Sequence, residues 1–393
     1  MSPDSLGAAS IRRTDSEIDC AMLERTLELA ELGRPGARPN PVVGAVLALS
    51  DGTVLATGHH PRRGEAHAER FCLDDAPAVI PADATLYVSL EPCSHHGKQP
   101  PCTDLIIERD VRRVVYASGD ANPDTAGIGP ARLTSVGIEV RRGSRDIERR
   151  ALQQNAGFHS VHLRGRPYVT AKWAMTPNGR FATGDRNRPW ISGEESRAFV
   201  HYLRAGSGAI AVGIGTVLAD DPLLTVRGPI ADRIFTPPLR VVYDRALRLS
   251  LDSQLVRTSG EAPVLCCCLH DAPPLRELAL RDAGVDVWRA PFPEPGASCP
   301  PAASLAMLAK RGVNDVLLEC GPTMLKIFHD ADLIDGIVAF VGSRDAPVDQ
   351  PGLEFEHPLV RDALDTPGIP SGDDQRHVTL RHPIWELAGA IPD

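Results

Sequence analysis

The tripeptide His67-Ala68-Glu69 is followed by Pro92-Cys93 and then, after the eight residues SHHGKQPP, by Cys102. This spacing constrains the fold more than any other feature. A metal held by His67, Cys93 and Cys102 would draw three distant stretches to one point. Zinc at a catalytic site takes three protein ligands with lone pairs on nitrogen or sulfur and leaves one position for water. One imidazole and two thiolates supply that set. Glu69, two residues after the histidine, can reach the fourth position without binding the metal, where a carboxylate can take a proton and return it. His-x-Glu alone is a common surface pair, and the bland alternative is a polar loop with two buried thiols. The Pro-Cys that follows the strand-like run LYVSLEP weighs against chance. His95 and His96 compete as ligands, with loop lining or substrate contact as the alternative. Cys72 reads as helix packing.

The rest of the composition is that of an ordinary globular protein. With 393 residues, two domains are expected. Net charge is −9, whereas a surface built for phosphate backbones carries a basic excess. Nucleic acid is therefore a poor partner, although local cations could hold a small phosphorylated ligand. Nine cysteines, three of them consecutive at Cys266–Cys268, make a poor disulfide framework. No signal peptide and no membrane-length apolar run is apparent, so a reduced cytoplasm is expected. The Cys266–Cys268 run falls in an apolar strand-like stretch and reads as packing.

Hydrophobic periodicity divides the chain. Residues 1–15 read as a loose tail, and a helix is expected from a Ser16 cap through Leu32. Strand-like and helix-like stretches then alternate through IEVRRG, which implies an α/β sheet. The pattern pauses near NAGFHSVHLRGRP, so a boundary is placed at 157–166, giving domains of about 16–160 and 161–393. A second α/β series follows: PYVTAKWAM, a Thr176–Gly179 turn, GRFAT, a helix over Ser192–Ala205, and further strands and helices to GIVAFVG. Residues 344–393 carry little pattern before VTLRHPIWEL.

Two stretches of the second half suggest nucleotide binding. In VGIGTVLADDPLLTVR, an apolar run ends in Gly213-Ile214-Gly215-Thr216, and in LLECGPTMLK a strand leads through Gly321-Pro322 into a helix. Glycines after a strand let backbone N–H groups approach phosphate, and a helix N-terminus favours an anion. Neither stretch is a G-x-G-x-x-G fingerprint.

The His67-x-Glu69 and Pro92-Cys93 elements fit the zinc-deaminase signature H-x-E…P-C-x-x-C, except that eight residues replace the usual two before Cys102. With that long insert, HAE and EPCSHHGKQPPC resemble the deaminase half of the bifunctional riboflavin-biosynthesis deaminase/reductase family. AKWAMTPNGR, PWIS, VGIGTVLADDPLLTVR and LLECGPTMLK resemble its reductase half, so the likeness spans about residues 18–343. It implies a cytidine-deaminase-like three-layer α/β/α domain followed by a dihydrofolate-reductase-like α/β domain. It further implies zinc on His67, Cys93 and Cys102, with Glu69 moving the proton. The expected reactions are deamination of a ribosylaminopyrimidine 5′-phosphate and NADPH-dependent reduction of its ring-opened ribose. Asn40, His60, Lys98 and Asn122 match deaminase substrate positions. Ala174, Trp190, Thr216, Asp220 and the run Gly321, Pro322, Thr323, Met324, Leu325, Lys326, Ile327 match NADPH positions. Arg204, Leu224, Arg227 and Glu319 match reductase substrate positions. Arg204 and Arg227 also suit phosphate as paired donors, and Lys172 lies on the first strand of that half, towards the ribose. Where the family usually has a small residue before Trp-Ile-Ser, this chain has Arg188-Pro189. A deaminase with a degenerate reductase half is therefore the alternative. The family also suggests a homo-oligomer.

Overall fold

The computed structural model describes residues 15–34, 36–95, 99–182, 191, 193–290, 300–319, 321–352, 361, 369–370 and 376–381. The chain divides into two compact units that part between Asn155 and Ala156.

The first unit runs α1 (Asp15–Glu31), β1 (Gly44–Ala48), β2 (Val54–His59), α2 (Ala68–Asp74), β3 (Thr85–Leu90), α3 (Cys102–Glu108), β4 (Arg113–Ser118), α4 (Ile128–Ser135), β5 (Glu139–Arg142) and α5 (Arg145–Gln154). Its five strands lie in the order β2-β1-β3-β4-β5. β1 is antiparallel to β2 and β3, and β3, β4 and β5 are parallel. Period-two alternation sends side chains to opposite faces of the sheet. Ala45, Leu47, Leu86, Val88 and Val114 pack with Cys72 and Leu73 of α2, Leu105 and Ile106 of α3 and Leu133 of α4. Val46, Ala48, Tyr87, Val115 and Ala117 pack with Leu23 and Leu27 of α1 and Ile147 and Ala151 of α5. The result is the three-layer α/β/α sandwich that the family resemblance implied. Full burial of each large aliphatic side chain stabilises it by roughly 1.5–3 kcal/mol.

Two glycines set how closely the α2–α4 layer approaches. A Cβ on Gly58 of β2 would lie 2.3 Å from the Ala68 carbonyl oxygen and 2.5 Å from the Cys72 nitrogen, at the start of α2. A Cβ on Gly129 of α4 would lie 1.9 Å from the Pro92 carbonyl oxygen.

The second unit runs α6 (Ala156–Arg164), β6 (Tyr168–Met175), α7 (Glu194–Gly206), β7 (Ala209–Gly213), α8 (Ile214–Asp220), β8 (Leu239–Tyr243), α9 (Gln254–Arg257), β9 (Val264–Cys268), α10 (Pro274–Asp282), β10 (Asp286–Arg289), α11 (Pro301–Lys310), β11 (Asp315–Glu319), α12 (Pro322–Asp330), β12 (Gly336–Val341), β13 (Ile369–Pro370) and β14 (Arg376–Arg381). The strands order as β10-β9-β8-β7-β11-β6-β12-β14-β13. All neighbours from β10 to β12 are parallel, and β14 pairs antiparallel with β12 and β13. Cys266, Cys267 and Cys268 are fully buried in β9, on alternating faces of the sheet, as packing residues.

Several local expectations change. Helix α1 already includes Ser16, which is therefore not its cap. Residues 157–166 are not a pause: α6 covers most of them. Gly157 sits so close to Asp315 that a Cβ there would lie 2.2 Å from its Oδ1, which places α6 with the second unit. Within GRFAT, Arg180 makes one isolated antiparallel bridge to Gly352 rather than a strand. The helix expected from Ser192 runs over Glu194–Gly206, and Ser192 lies outside the described residues.

Gly58→Ala is expected to lower stability by about 1–3 kcal/mol, as overpacking does, and to reduce zinc content by shifting the start of α2. Thermal unfolding together with zinc assay of the purified variant checks both; unchanged metal content would mean that α2 tolerates the shift.

Candidate active sites

In the first unit, His67 occupies the N-cap of α2 with extended backbone, Glu69 lies in the first turn, and Cys102 is the first residue of α3. Cys93 follows β3 by three residues. Their possible ligand atoms all lie within 4.8 Å of one another. His67 Nδ1 is 3.5 Å from Cys93 Sγ and 3.3 Å from Cys102 Sγ. One nitrogen and two sulfurs converging this closely fit a zinc site with an open fourth position. The sulfurs already share charge. Hydrogen bonding from the Cys102 thiol pulls the Cys93 thiol down, and the same bond, with burial, raises Cys102. The Cys102 backbone N–H also donates to Cys93 Sγ at 3.4 Å. His95 is exposed and does not join the ligand cluster, and His96 lies outside the described residues.

Glu69 is buried, and burial pushes its carboxyl up to about 6. That value suits a group that must both accept and release a proton near neutrality. Asn40 and His60 meet beside this cluster. His60 Nδ1 donates to the Ala66 carbonyl at 2.9 Å, which leaves Nε2 to accept from Asn40 Nδ2 at 3.2 Å. The His60 ring stands edge-on to His67 with centroids 5.6 Å apart. Asn122 lies in the β4–α4 loop, where its side chain accepts from the Asp124 N–H at 3.1 Å. Lys98 lies outside the described residues.

Two positioning groups carry no obvious sequence signal. Buried Glu91, just before Pro92-Cys93, accepts from the Gly127 N–H at 2.8 Å and ties the Asn122 loop to the metal loop. Buried Asn155 accepts from the Val42 N–H at 2.8 Å and donates to the Val42 carbonyl at 3.0 Å, so it holds the Asn40 segment as a strand neighbour would.

In the second unit, Glu319 ends β11 beside Lys172 of β6. Arg204 of α7 grips its carboxylate with two bonds, Nε–Oε1 at 2.6 Å and Nη2–Oε2 at 3.0 Å, while Lys172 Nζ lies 3.7 Å from Oε2. Burial alone would raise the Glu319 pKa, but the Lys172 and Arg204 charges outweigh it and hold the carboxyl at about 2. The third Arg204 contact is Nη1 to the Thr225 carbonyl at 3.0 Å. Each nitrogen of its guanidinium thus meets a protein partner. Arg227 is exposed, with Nη1 3.2 Å from Thr225 Oγ1, and is the freer cation. Lys172 also sits 5.8 Å from the centre of the Phe340 ring.

The residues matched to NADPH gather at the C-terminal ends of the parallel strands. Ala174 is on β6, Thr216 and Asp220 are on α8 straight after β7, and Gly321–Ile327 open α12 after β11. Gly213 lets α12 approach β7, since a Cβ there would lie 2.7 Å from Met324 Cγ. Added Cβ atoms at Gly215 and Gly321 would meet nothing within 4 Å. Open backbone at two strand-to-helix junctions fits a phosphate-bearing cofactor. Trp190 and Arg188 lie outside the described residues.

The depressed Glu319 value carries a pH signature. The folded value lies below the unfolded one, so the cluster stabilises the fold above about pH 4.5 and loses that contribution as pH falls towards 2. Relative to Glu319→Gln, the native chain is expected to gain about 3 kcal/mol at neutral pH, with the gap closing as pH falls from about 5 to about 2. Urea unfolding of both proteins across that range checks it.

Two family models match: the cytidine and deoxycytidylate deaminase zinc-binding region over residues 16–118, and the RibD C-terminal domain over residues 167–348. The chain is 35% identical over 328 residues to riboflavin biosynthesis protein RibD of Aquifex aeolicus, covering 84% of this chain and 88% of that one. It is 35% identical over 340 residues to RibD of Escherichia coli, covering 84% and 89%. The solved structure of Acinetobacter baumannii RibD superposes with a TM-score of 0.80 at 31% identity, covering 93% of this chain and 99% of that one. A Thermotoga maritima structure, described as a diaminohydroxyphosphoribosylaminopyrimidine deaminase/5-amino-6-(5-phosphoribosylamino)uracil reductase, gives 0.78 at 30% identity, covering 94% and 100%. With a zinc-type ligand cluster in one unit and a charged cluster at the strand ends of the other, the chain belongs to the RibD family of bifunctional riboflavin-biosynthesis deaminase/reductases.

Proposed function

We propose that the chain catalyses both reactions named for the Thermotoga relative, with the deaminase in the first unit and the reductase in the second. The observation that carries the reading is the convergence of His67, Cys93 and Cys102 around a buried Glu69. His67, Cys93 and Cys102 would hold a zinc ion, which would supply an acidified water molecule. Glu69 takes a proton from the attacking water and passes it to the departing ring amino group, which leaves as ammonia. Asn40 and His60, locked to each other, orient the pyrimidine. Lys98 is assigned to the substrate phosphate by its family position. In the reductase half, NADPH supplies the reducing equivalents. Glu319, kept ionised by Arg204 and Lys172, accepts hydrogen bonds from substrate, while Arg227 faces the phosphate. Trp190, with the residues on β6, α8 and α12, holds the dinucleotide.

The acidic net charge favours a small-molecule substrate over nucleic acid. No described helix is long and apolar enough to cross a membrane. We place the enzyme in the cytoplasm, as a homo-oligomer.

Incubation with the diaminopyrimidinone ribosyl phosphate tests the function by product mass. Exchange of an amino group for oxygen is expected without NADPH, and a further gain of two hydrogens with it. Exchange alone would leave the chain a deaminase with an idle second half. Glu69→Gln is expected to cut deamination by at least about 100-fold with zinc retained, as read by turnover and metal analysis; preserved turnover would remove Glu69 from its role.

A further inference from the structure

Arg240 is an arginine buried in the middle of a parallel sheet, with no measurable exposure. Arginine is seldom fully buried unless paired with an acid. Among the described residues no carboxylate lies within ion-pair distance of it; its neighbours are oxygens of the backbone and one hydroxyl. From β8, Nη1 donates to the Leu223 carbonyl at 3.0 Å and to Thr258 Oγ1 at 2.7 Å. Nη2 donates to the Thr258 carbonyl at 2.8 Å and to the Ala262 carbonyl. Holding up the sheet does not require a cation here, because the neighbouring strand positions Val241 and Val242 pack apolar side chains. What the guanidinium adds is a set of rigid, divergent donors, one of which reaches into the segment after α8.

That segment, residues 221–227, is tethered at every second residue. Gln254 of α9 donates its backbone N–H to Asp221 Oδ1 at 2.9 Å and its side-chain amide to the Asp221 carbonyl at 2.5 Å. Arg240 takes Leu223. Arg204 takes the Thr225 carbonyl at 3.0 Å. The Arg227 N–H donates to His201 Nδ1 at 3.2 Å. Between these ties Asp221 and Leu224 adopt φ of 38° and 51°, a region that side chains with a Cβ rarely enter. Strain of that kind persists only where the surroundings over-determine it. Arg240 and Gln254 close a ring, since Thr258, which caps the end of α9, accepts from Arg240 and donates from Oγ1 to the Gln254 carbonyl at 2.7 Å. Leu224, in its unusual conformation, is the residue directly after the carbonyl that Arg240 holds.

We propose that Arg240 is a positioning residue of the reductase: by fixing the Leu223 carbonyl it sets the posture in which Leu224 and Arg227 meet the substrate. The inference rests on the assignment of Leu224 and Arg227 to substrate made above. A misplaced binding group raises KM, whereas loss of a purely structural support lowers every property of the domain together.

The test is steady-state reductase kinetics on Arg240→Met and Arg240→Lys in the full chain, alongside Arg227→Ala. NADPH affinity, deaminase turnover and thermal stability are measured on the same preparations. Arg240→Met is expected to raise the KM for the deaminated ribosylaminopyrimidine phosphate by about 10-fold or more, with kcat within about twofold and NADPH affinity unchanged. Arg240→Lys, which keeps the charge and some donors, is expected to recover part of the loss. An unchanged KM in folded Arg240→Met overturns the proposal. So does a KM that rises only in step with weakened NADPH binding. If Arg227→Ala also leaves KM unchanged, the substrate assignment itself fails and the proposal falls with it; if Arg227→Ala raises KM while the Arg240 variants do not, the positioning role alone fails. Should Arg240→Met not fold, Thr258→Val, which removes one acceptor and leaves the arginine in place, takes over. Faster amide exchange at Leu224–Arg227 with a raised KM supports the proposal, and native exchange with native KM overturns it.

Discussion

Three ligand atoms from three stretches of chain must lie within 4.8 Å of one another, and the first unit is arranged so that they do. His67 sits at the N-cap of α2 and Cys102 at the first position of α3, so both project from helix starts. Cys93 comes from the exit of β3, the middle strand of the sheet. Helix starts and parallel-strand exits meet at one edge of an α/β layer, which is why this sandwich can present a metal site without long excursions. The cost is close approach. Only a residue without a Cβ fits at Gly58 against α2 and at Gly129 against the metal loop. The Asn155 and Glu91 side chains then fix the two loops that carry Asn40 and Asn122. The His67–Cys93–Cys102 cluster, Glu69 and the loops of Asn40 and Asn122 thus share one set of supports.

The second unit solves a different problem, that of keeping an anion in a buried place. Glu319 is ionised because one cation contributes a bidentate grip and another lies 3.7 Å away. Removing one partner of such a cluster leaves an uncompensated charge, which costs more than the pair contributes. The same arginine reaches on to Thr225, so the carboxylate and the 221–227 segment are ordered together. From β8, Arg240 holds the same segment at the Leu223 carbonyl. The 221–227 segment is thereby held by two arginines bonded inside the protein, while Arg227 at its end is exposed.

Much of this was legible in the sequence. The H-x-E, Pro-Cys and Cys spacing picked out the three residues that the fold brings together, and period-two runs such as YVTAKWAM and VGAVLA named the strands. Helix α5 was missed although its signals were present: the Ser144 side chain accepts from the Ile147 N–H, acids fill the first turn, and Ile147, Ala151 and Leu152 recur at helical spacing. Its seven charged and polar residues among ten masked the apolar stripe. Helix α6 was hidden by glycine and histidine within a short span, and its place was decided by the contact of Gly157 with Asp315 far along the chain. The pairing of Arg204 with Glu319 was not legible because 115 residues separate them.

By itself the sequence determined the chemistry on offer: which residues could bind zinc, which could move a proton, where backbone lay open to phosphate, and that two α/β units would carry them. These follow from residue type and short-range periodicity, which a chain displays along its length. Only the tertiary structure decided which polar groups are neutralised and which remain free. Arg204 and Arg227 are the same residue in the sequence, yet one is bound to a carboxylate and the other is exposed. Arg240 reads as an ordinary strand cation until the sheet buries it beneath a loop. Burial and partnership depend on contacts between residues far apart in the chain, so no local pattern can encode them.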